Sequence, residues 1–332
     1  MKLVLPSTVV RKSLSIYLRF KNFWLVVITD GILHFIFPNH YWYYLYLMYT
    51  LAAAYYGLKD ALLHLYDARE SSAIAHDVLE TMTGLSKTDR LIHKDNTLSL
   101  DQQIEYDRIV ALLVVGVPMQ YALGHAWFMG NKYEVNNTVL IPRPETEELV
   151  QWIVDEHKDI NRSMSVLEVG TGSGCIAVSL SILIRDMQVT ACDISKEALL
   201  LANNNAVKLG AKVVFKQGDF LKWQDFDWGG GYDIIVSNPP YIPLSVMGKL
   251  HQNVINHEPH IALFVPDNDP LIFYRAIAAF GSVYLSEGGG IYCELDADNA
   301  MDTKVMFEQQ GYSKVEIKPD MHGNLRMLKA MK

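Results

Sequence analysis

The segment Asn238-Pro239-Pro240-Tyr241 combines residue types that could hold a reacting amino group. Two successive prolines fix two backbone angles and remove two amide donors, so the loop presents hydrogen-bond acceptors. These are the Asn238 side-chain oxygen and the Pro239 carbonyl, which could hold both hydrogens of a substrate NH2 group and turn its lone pair toward a methyl donor. We predict that Asn238, Pro239 and Tyr241 are catalytic and that all four residues bind substrate, Tyr241 against a flat amide or base. The alternative is that this segment is a rigid turn with no role in catalysis or substrate binding.

A glycine-rich loop follows a predicted strand and opens a predicted helix. It reads Gly170-Thr171-Gly172-Ser173-Gly174, and glycines let a backbone pass close to a ligand with amide donors pointing outward. Cys175 stands where the dinucleotide pattern G-x-G-x-x-G would require glycine, and no Lys-Ser or Lys-Thr pair follows as in a P-loop. We predict that all five residues of the loop bind a cofactor.

Acidic residues end the next two predicted strands. Asp193 could accept both hydroxyls of an adenosine ribose; its alternative is a helix cap, a role that Ser195 could fill instead. Asp219 could accept from the adenine amino group, and Phe220 could stack on the base. The order of these residues at three successive strand ends predicts an adenosyl ligand, S-adenosylmethionine, as the cofactor.

Strands and helices alternate from residue 165 onward, which predicts an α/β fold with a Rossmann-like, doubly wound parallel sheet and helices on both faces. In such sheets the ligand lies at the carboxyl ends of the strands, where the motifs above occur. The predicted strands are residues 166–169, 189–192, 213–216, 234–237 and 290–294.

The chain before this sheet has a different periodicity. Residues 48–125 show apolar positions at helical spacing and predict a small recognition domain, with Gly84 as a helix stop and Ser99 capping a helix from Leu100 to about Val115. Residues 126–141 predict a β-hairpin linker that turns at Gly130-Asn131, followed by a strand at residues 138–141. Residues 142–332 form the predicted methyltransferase domain.

Composition limits the remaining possibilities. The chain has 332 residues and a net charge of -8, which argues against bulk electrostatic binding of nucleic acid. Cys175, Cys192 and Cys293 show no metal or disulfide spacing, so we expect small core residues, no metal and a reducing compartment, the cytoplasm.

Residues 1–47 carry five basic residues and one acidic residue, and they are rich in aromatic residues. Three interpretations stand: an upstream extension of a protein whose translation starts at Met48, a membrane anchor, or an added helical segment. Polar residues interrupt the apolar run before it reaches the length of a span. Membrane contact is expected only if this segment is part of the protein.

Five motifs in order resemble the HemK/PrmC family of release factor glutamine methyltransferases. They are residues 118–124 (PMQYALG), residues 139–147 (VLIPRPETE), the glycine loop, residues 236–242 (VSNPPYI) and Glu258-Pro259, and the resemblance covers residues 48–332. It implies a helical N-terminal domain, a hairpin linker and a Rossmann-like catalytic domain. The implied substrate is the glutamine of the Gly-Gly-Gln loop in peptide chain release factors, methylated on its side-chain amide nitrogen (N5).

The resemblance also implies residue roles. The glycine loop, Asp193 and Phe220 would hold the cofactor, and residues 238–241 would hold the glutamine amide, with Asn238 also close to the cofactor. Two positions depart from the family pattern: Phe220 stands where some relatives have tryptophan, and Leu325 where the family often has aspartate.

Other functions remain as alternatives. A nucleic-acid amino methyltransferase, acting on adenine N6 or guanine N2, would use the same acceptor loop, but the acidic charge and the absence of a basic run argue against it. A nicotinamide oxidoreductase is disfavoured by Cys175 and the proline loop, and a catalytically silent relative by the intact Asn238 segment.

Overall fold

The structure is a computed structural model that describes residues 49–332 and, before them, only the backbone of four short strands. The strands form an antiparallel sheet in chain order, where β-branched and aromatic residues favour extended backbone. They are β1 (Tyr17–Leu18), β2 (Leu25–Thr29), β3 (Ile32–Ile36) and β4 (Trp42–Tyr46). Strands replace the helical segment that was one interpretation of residues 1–47; the anchor and start-site interpretations lie outside the described residues. Two compact units, residues 1–119 and 120–332, divide the chain.

Helices make up the described part of the first unit after Tyr49. They are α1 (Leu51–Leu62), α2 (Ala68–Thr83), α3 (Lys87–Ile92) and α4 (Leu100–Leu113), and α5 (Met119–Leu123) begins at its last residue. Ser99 caps α4: its hydroxyl accepts from the Gln102 amide, and Gln102 Oε1 accepts from the Ser99 amide. Gly84 ends α2 with a φ of 69°. Both predicted helix signals are confirmed.

A β-hairpin belongs to the second unit. Its strands are β5 (His125–Phe128) and β6 (Asn131–Glu134), so the turn lies at Met129-Gly130, one residue before the predicted Gly130-Asn131. Both turn residues have positive φ, 47° and 73°, as a type I′ turn requires, and Asn131 instead pairs with Phe128. Tyr133 is fully buried, and its hydroxyl lies 2.8 Å from Ser179 Oγ.

The strand predicted at residues 138–141 is wrong. The Asn136 side chain accepts from the Thr138 amide over 2.9 Å, and the Val139 amide donates to the Asn136 carbonyl over 3.2 Å. These local bonds form a turn in place of sheet pairing. Val139 and Ile141 are buried all the same, which explains the strand-like alternation.

A seven-stranded sheet forms the centre of the second unit, in the order β14-β15-β13-β10-β7-β8-β9. All five predicted strands are confirmed with longer bounds, and they are mutually parallel. The last two strands were not predicted, and both of their pairings are antiparallel, so the all-parallel prediction is wrong at this edge. The strands are β7 (Met164–Val169), β8 (Met187–Asp193), β9 (Val213–Gln217), β10 (Tyr232–Ser237), β13 (Leu285–Glu294), β14 (Ser313–Pro319) and β15 (Leu325–Met331).

Helices and short elements connect these strands. The helices are α6 (Pro144–His157), α7 (Cys175–Leu183), α8 (Lys196–Leu209), α9 (Gln252–His257), α10 (Ile272–Tyr284) and α11 (Ala300–Gln309). Between β10 and α10, β11 (Ile242–Pro243) pairs in parallel with β12 (Phe264–Val265). Turns of 3-10 helix occupy Phe220–Asp225, Leu244–Lys249 and His260–Ala262.

Hydrophobic residues pack against both faces of the sheet. Val166 belongs to one buried cluster and its neighbour Leu167 to the other, because successive side chains of a strand point to opposite faces. The three cysteines are free and buried, as expected of core residues. Residues 49–332 contain no helix long and apolar enough to cross a membrane and no cluster of three metal-ligating side chains.

Candidate active site

A cavity of about 290 Å³ opens at the carboxyl edge of the sheet, where the parallel strands end. Most of the predicted site residues line it; Gly174 and Tyr241 do not. The predicted residues in its lining are Gly170, Thr171, Gly172, Ser173, Asp193, Asp219, Phe220, Asn238, Pro239 and Pro240. The structure therefore brings most of the predicted residues to one cavity, and it distinguishes residues that border the cavity from residues that support them.

The glycine loop is held by the end of β8. The Gly170 and Thr171 amides both donate to the Cys192 carbonyl, over 2.9 and 3.0 Å. Gly174 has a φ of 81°, and a Cβ there would approach Ala202 Cβ on α8 to 3.0 Å. Gly174 thus serves the close packing of the loop against α8 rather than the lining of the cavity.

Asp193 anchors the glycine loop in addition to bordering the cavity. Its Oδ2 accepts from the Gly172 amide and its Oδ1 from the Ser195 amide, each over 2.9 Å. Burial raises the pKa of Asp193, and these two amides oppose that rise. Each carboxylate oxygen has a second lone pair, so both can still accept a hydroxyl. Ser195, not Asp193, caps α8.

Asp219 and Phe220 line the same cavity. Asp219 Oδ1 accepts from the Leu221 amide over 3.0 Å. Phe220 is only 5% exposed, and its ring packs against Trp228 and Phe280 with centroid distances of 5.5 and 5.1 Å. Little of the ring is free for the stacking predicted from the sequence, because most of its surface is in the core.

Glu168 lies beneath the glycine loop and was not predicted as a site residue. Its Oε2 accepts from the Thr171 hydroxyl over 2.5 Å and from the Ala177 amide over 3.1 Å. Its Oε1 is buried and has no hydrogen-bond partner among the described residues. Burial raises the pKa of Glu168 to about 8. The signal in the sequence was an acidic residue two positions before the glycine loop.

Asn238 and Pro239 border a second, smaller cavity as well as the first. The second cavity measures about 170 Å³, and its other lining residues are mainly apolar, among them Leu140, Ile242, Val254 and Leu263. Five residues line both cavities: Leu140, Arg143, Asn238, Pro239 and Ala262. Groups bound in the two cavities would meet at this shared border, where Asn238 and Pro239 supply polar acceptors.

Tyr241 borders the second cavity, and its hydroxyl contacts the buried Glu294. Its hydroxyl donates to Glu294 Oε1 over 3.1 Å. Burial raises the pKa of Tyr241, and the adjacent Glu294 charge adds to that rise. At neutral pH the phenol is therefore a hydrogen-bond donor and unsuited to act as a base.

Thr146 connects Asn238 to Glu294. Asn238 Nδ2 donates to Thr146 Oγ1 over 3.0 Å, and Thr146 Oγ1 donates to Glu294 Oε2 over 2.6 Å. Thr146 and Glu294 are both 2% exposed. Burial raises the pKa of Glu294, whereas the Thr146 and Tyr241 hydroxyls and the Arg326 charge oppose that rise. No pattern in the sequence indicated this connection.

Arg143 and Glu258 join two segments that border the cavities. Arg143 Nη2 lies 2.6 and 2.7 Å from the two carboxylate oxygens of Glu258, which is 4% exposed. Arg143 precedes α6, and Glu258 lies just before Ala262 in the chain. Both Arg143 and Ala262 line both cavities, so this ion pair fixes their common border.

Comparison with known proteins identifies the family. A profile for a methyltransferase domain matches residues 160–268, and a profile for the PrmC N-terminal domain matches residues 58–124. A release factor glutamine methyltransferase of Bacteroides thetaiotaomicron is 41% identical over 273 residues, 82% of this chain and 97% of the relative. The chain belongs to the release factor glutamine methyltransferase family. Relatives of the same name from Flavobacterium psychrophilum and Streptococcus pneumoniae are 37% and 36% identical, covering 81% and 84% of this chain and 95% and 97% of theirs.

S-adenosylmethionine is the methyl donor of this methyltransferase, and the residues present suit it. The cofactor carries an ammonium group, and Glu168 Oε1 is a buried acceptor without a partner among the described residues. Asp193 retains lone pairs for ribose hydroxyls. The cavity that these residues border also has apolar lining, including Ile194 and Leu221, which would contact an adenine ring.

Proposed function

We propose that this enzyme methylates the side-chain amide nitrogen of the glutamine in the Gly-Gly-Gln loop of peptide chain release factors, in the cytoplasm. The observation that carries the proposal is the position of Asn238 and Pro239, which border both cavities. A methyl donor on one side and an acceptor amide on the other would meet there. The names of the relatives support this substrate.

The larger cavity is the proposed cofactor site. The glycine loop would follow the cofactor closely with its backbone, Glu168 would receive the ammonium group, and Asp193 would receive the ribose hydroxyls. Asp219 would accept from the adenine amino group. Phe220 would contribute through the core that supports the loop, since its ring is largely covered.

The smaller cavity is the proposed acceptor site. Leu140, Val254 and Leu263 offer apolar surface suited to the methylene groups of a glutamine side chain. Asn238 Oδ1 and the Pro239 carbonyl would accept the two amide hydrogens. Pro240 keeps this loop rigid because its backbone nitrogen has no hydrogen to donate and its φ is fixed.

The chemistry that follows is mainly positioning. An amide nitrogen is a weak nucleophile because its lone pair is delocalised into the carbonyl. When bound, S-adenosylmethionine supplies an electrophilic methyl group. Asn238 and Pro239 hold the NH2 group so that its lone pair faces that methyl, and both acceptors favour the positive charge that develops on nitrogen. The extra proton leaves to water, so no side chain is assigned as a general base.

A labelling experiment tests this function. Purified enzyme with methyl-labelled S-adenosylmethionine is incubated with an intact release factor, with the same factor carrying glutamate at the loop glutamine, and with DNA and ribosomal RNA. Label is expected in the intact factor alone. Label in nucleic acid, or in the factor without that glutamine, would show a different acceptor.

The Asn238→Ala variant tests the role of the loop. Removing one of two acceptors should lower turnover by roughly thirtyfold to a thousandfold. Cofactor affinity should change much less. Full turnover in Asn238→Ala would contradict the proposed role of Asn238.

A further inference from the structure

A chain of hydrogen bonds runs from the Asn238 side chain into the protein interior. Asn238 Nδ2 donates to Thr146 Oγ1, Thr146 Oγ1 donates to Glu294 Oε2, and Tyr241 donates to Glu294 Oε1. Thr146 lies in the first turn of α6 and Glu294 at the end of β13, so distant parts of the sequence contribute to it. We call these four residues the Asn238 chain.

Which group donates in each hydrogen bond of the Asn238 chain follows from the number of hydrogens that each side chain can donate. Both carboxylate oxygens of Glu294 accept, one from Thr146 and one from Tyr241, and a threonine hydroxyl has one hydrogen to donate. Because the hydrogen of the Thr146 hydroxyl is used in the bond to Glu294, Oγ1 presents only a lone pair to Asn238. The NH2 end of the Asn238 amide can donate a hydrogen bond to that lone pair, whereas the amide oxygen cannot.

The shape of an asparagine side chain does not determine which end of its amide group points in a given direction. The two ends of its amide are nearly equal in shape, and only hydrogen bonds decide which end points where. No hydrogen bond from a described residue reaches Asn238 Oδ1. With Nδ2 directed at Thr146, the oxygen is left as the free end at the border of the two cavities.

We propose that Thr146 and Glu294 are positioning residues that fix the Asn238 amide with its oxygen toward the acceptor substrate. The inference rests on the proposed role of Asn238. An oxygen in this position accepts from a substrate NH2 group and repels a carboxylate. The reversed amide would present hydrogens, disfavour an NH2 group and attract a carboxylate. The Asn238 chain therefore also selects glutamine over glutamate.

Substitutions at Thr146 separate the hydroxyl from the shape of the side chain. Thr146→Val keeps the branched shape but offers Asn238 no lone pair, so turnover should fall by about tenfold or more, the cost of one oriented hydrogen bond. Thr146→Ser keeps the hydroxyl and should retain most of the turnover. Cofactor affinity should stay close to that of the unchanged enzyme in both variants. The melting temperature should fall in Thr146→Val alone, because the buried Glu294 Oε2 loses its hydrogen-bond partner.

A double-mutant cycle shows whether Thr146 acts through Asn238. Thr146→Val is measured alone and in combination with Asn238→Ala, under single-turnover conditions that detect slow reaction. If the proposal holds, Thr146→Val costs about tenfold with Asn238 present and less than about twofold with alanine at 238. An equal cost in both backgrounds would show a general structural effect and overturn the proposal.

Glu294→Gln gives a second, independent readout. Glutamine brings an NH2 group into a position where both neighbours donate, so the Asn238 amide loses its fixed direction. Turnover should fall, and competitive inhibition by a release factor with glutamate at the loop position should strengthen. Unchanged inhibition and turnover would overturn the proposal. Full activity of Asn238→Ala would instead refute the role of Asn238 itself, so the two failures are distinguishable.

Discussion

The Thr171 hydroxyl donates to Glu168 Oε2 over 2.5 Å and leaves Glu168 Oε1 as a buried acceptor without a partner among the described residues. A buried acceptor that makes no hydrogen bond carries a free-energy cost. An ammonium group that reached Oε1 would remove this cost and form a charge-assisted bond. Glu168 is therefore expected to bind the amino group of the cofactor.

Glu168→Gln should weaken the binding of S-adenosylmethionine. The substitution keeps the shape and removes the charge, so the dissociation constant should rise by roughly tenfold to a hundredfold. Isothermal titration calorimetry measures the change. Glu287→Gln, at an exposed position near the start of β13, is the matched control and should bind as the unchanged enzyme does. Equal affinities for all three proteins would contradict this role.

The same carboxyl predicts a pH dependence of cofactor binding. Burial raises the pKa of Glu168 to about 8, so below that pH the unliganded enzyme carries a proton that must leave when a cation binds. Affinity should rise from about pH 6 to about pH 8 and fall at higher pH, where the ammonium group of the cofactor loses its own proton. In Glu168→Gln only the titration of the cofactor itself should remain. An identical slope in both proteins would show that another group is responsible.

The Arg143–Glu258 ion pair should matter for the acceptor site. Arg143→Ala leaves a buried carboxylate without its partner, which should lower the free energy of unfolding by about 1–3 kcal/mol. The KM for the release factor should rise more than the cofactor dissociation constant. Lys158→Ala removes an exposed ion pair with Asp155 and should change neither quantity measurably. An equal response of both variants would argue against a fixed border between the cavities.

Two glycines of the loop should respond differently to alanine. At Gly174 a Cβ would approach Ala202 to 3.0 Å, so Gly174→Ala should lower the melting temperature clearly. At Gly172 a Cβ would meet no protein atom within 4 Å, so Gly172→Ala should lower stability less. Gly172 also lines the cofactor cavity, and its substitution should reduce cofactor affinity relative to its effect on stability. The reverse order of melting temperatures would refute this division of roles.

The sequence predicted those features that depend on short stretches of chain. The Ser99 cap, the Gly84 stop, the five parallel strands and the position of the glycine loop all follow from neighbouring residues. The strand predicted at residues 138–141 failed because the Asn136 side chain forms a local turn while Val139 and Ile141 remain buried.

Features that depend on distant residues could not be read from the sequence. Thr146 and Glu294 are 148 positions apart, so no local pattern indicates their hydrogen bond. The ring of Phe220 is covered by Phe280 from α10, which spacing along the chain does not reveal. The last two strands, β14 and β15, follow the alternating region, and β15 pairs antiparallel with β14 on one side and with β13 on the other.

Tandem mass spectrometry of the methylated release factor identifies the atom that receives the methyl group. The unchanged enzyme and S-adenosylmethionine react with the factor, and the peptide that contains the Gly-Gly-Gln loop is fragmented. One added methyl group is expected on the side-chain nitrogen of the loop glutamine, and Asn238→Ala should form it at least about thirtyfold more slowly. A methyl group on any other residue of the factor, or an unmodified loop glutamine after complete reaction, would contradict the proposed function.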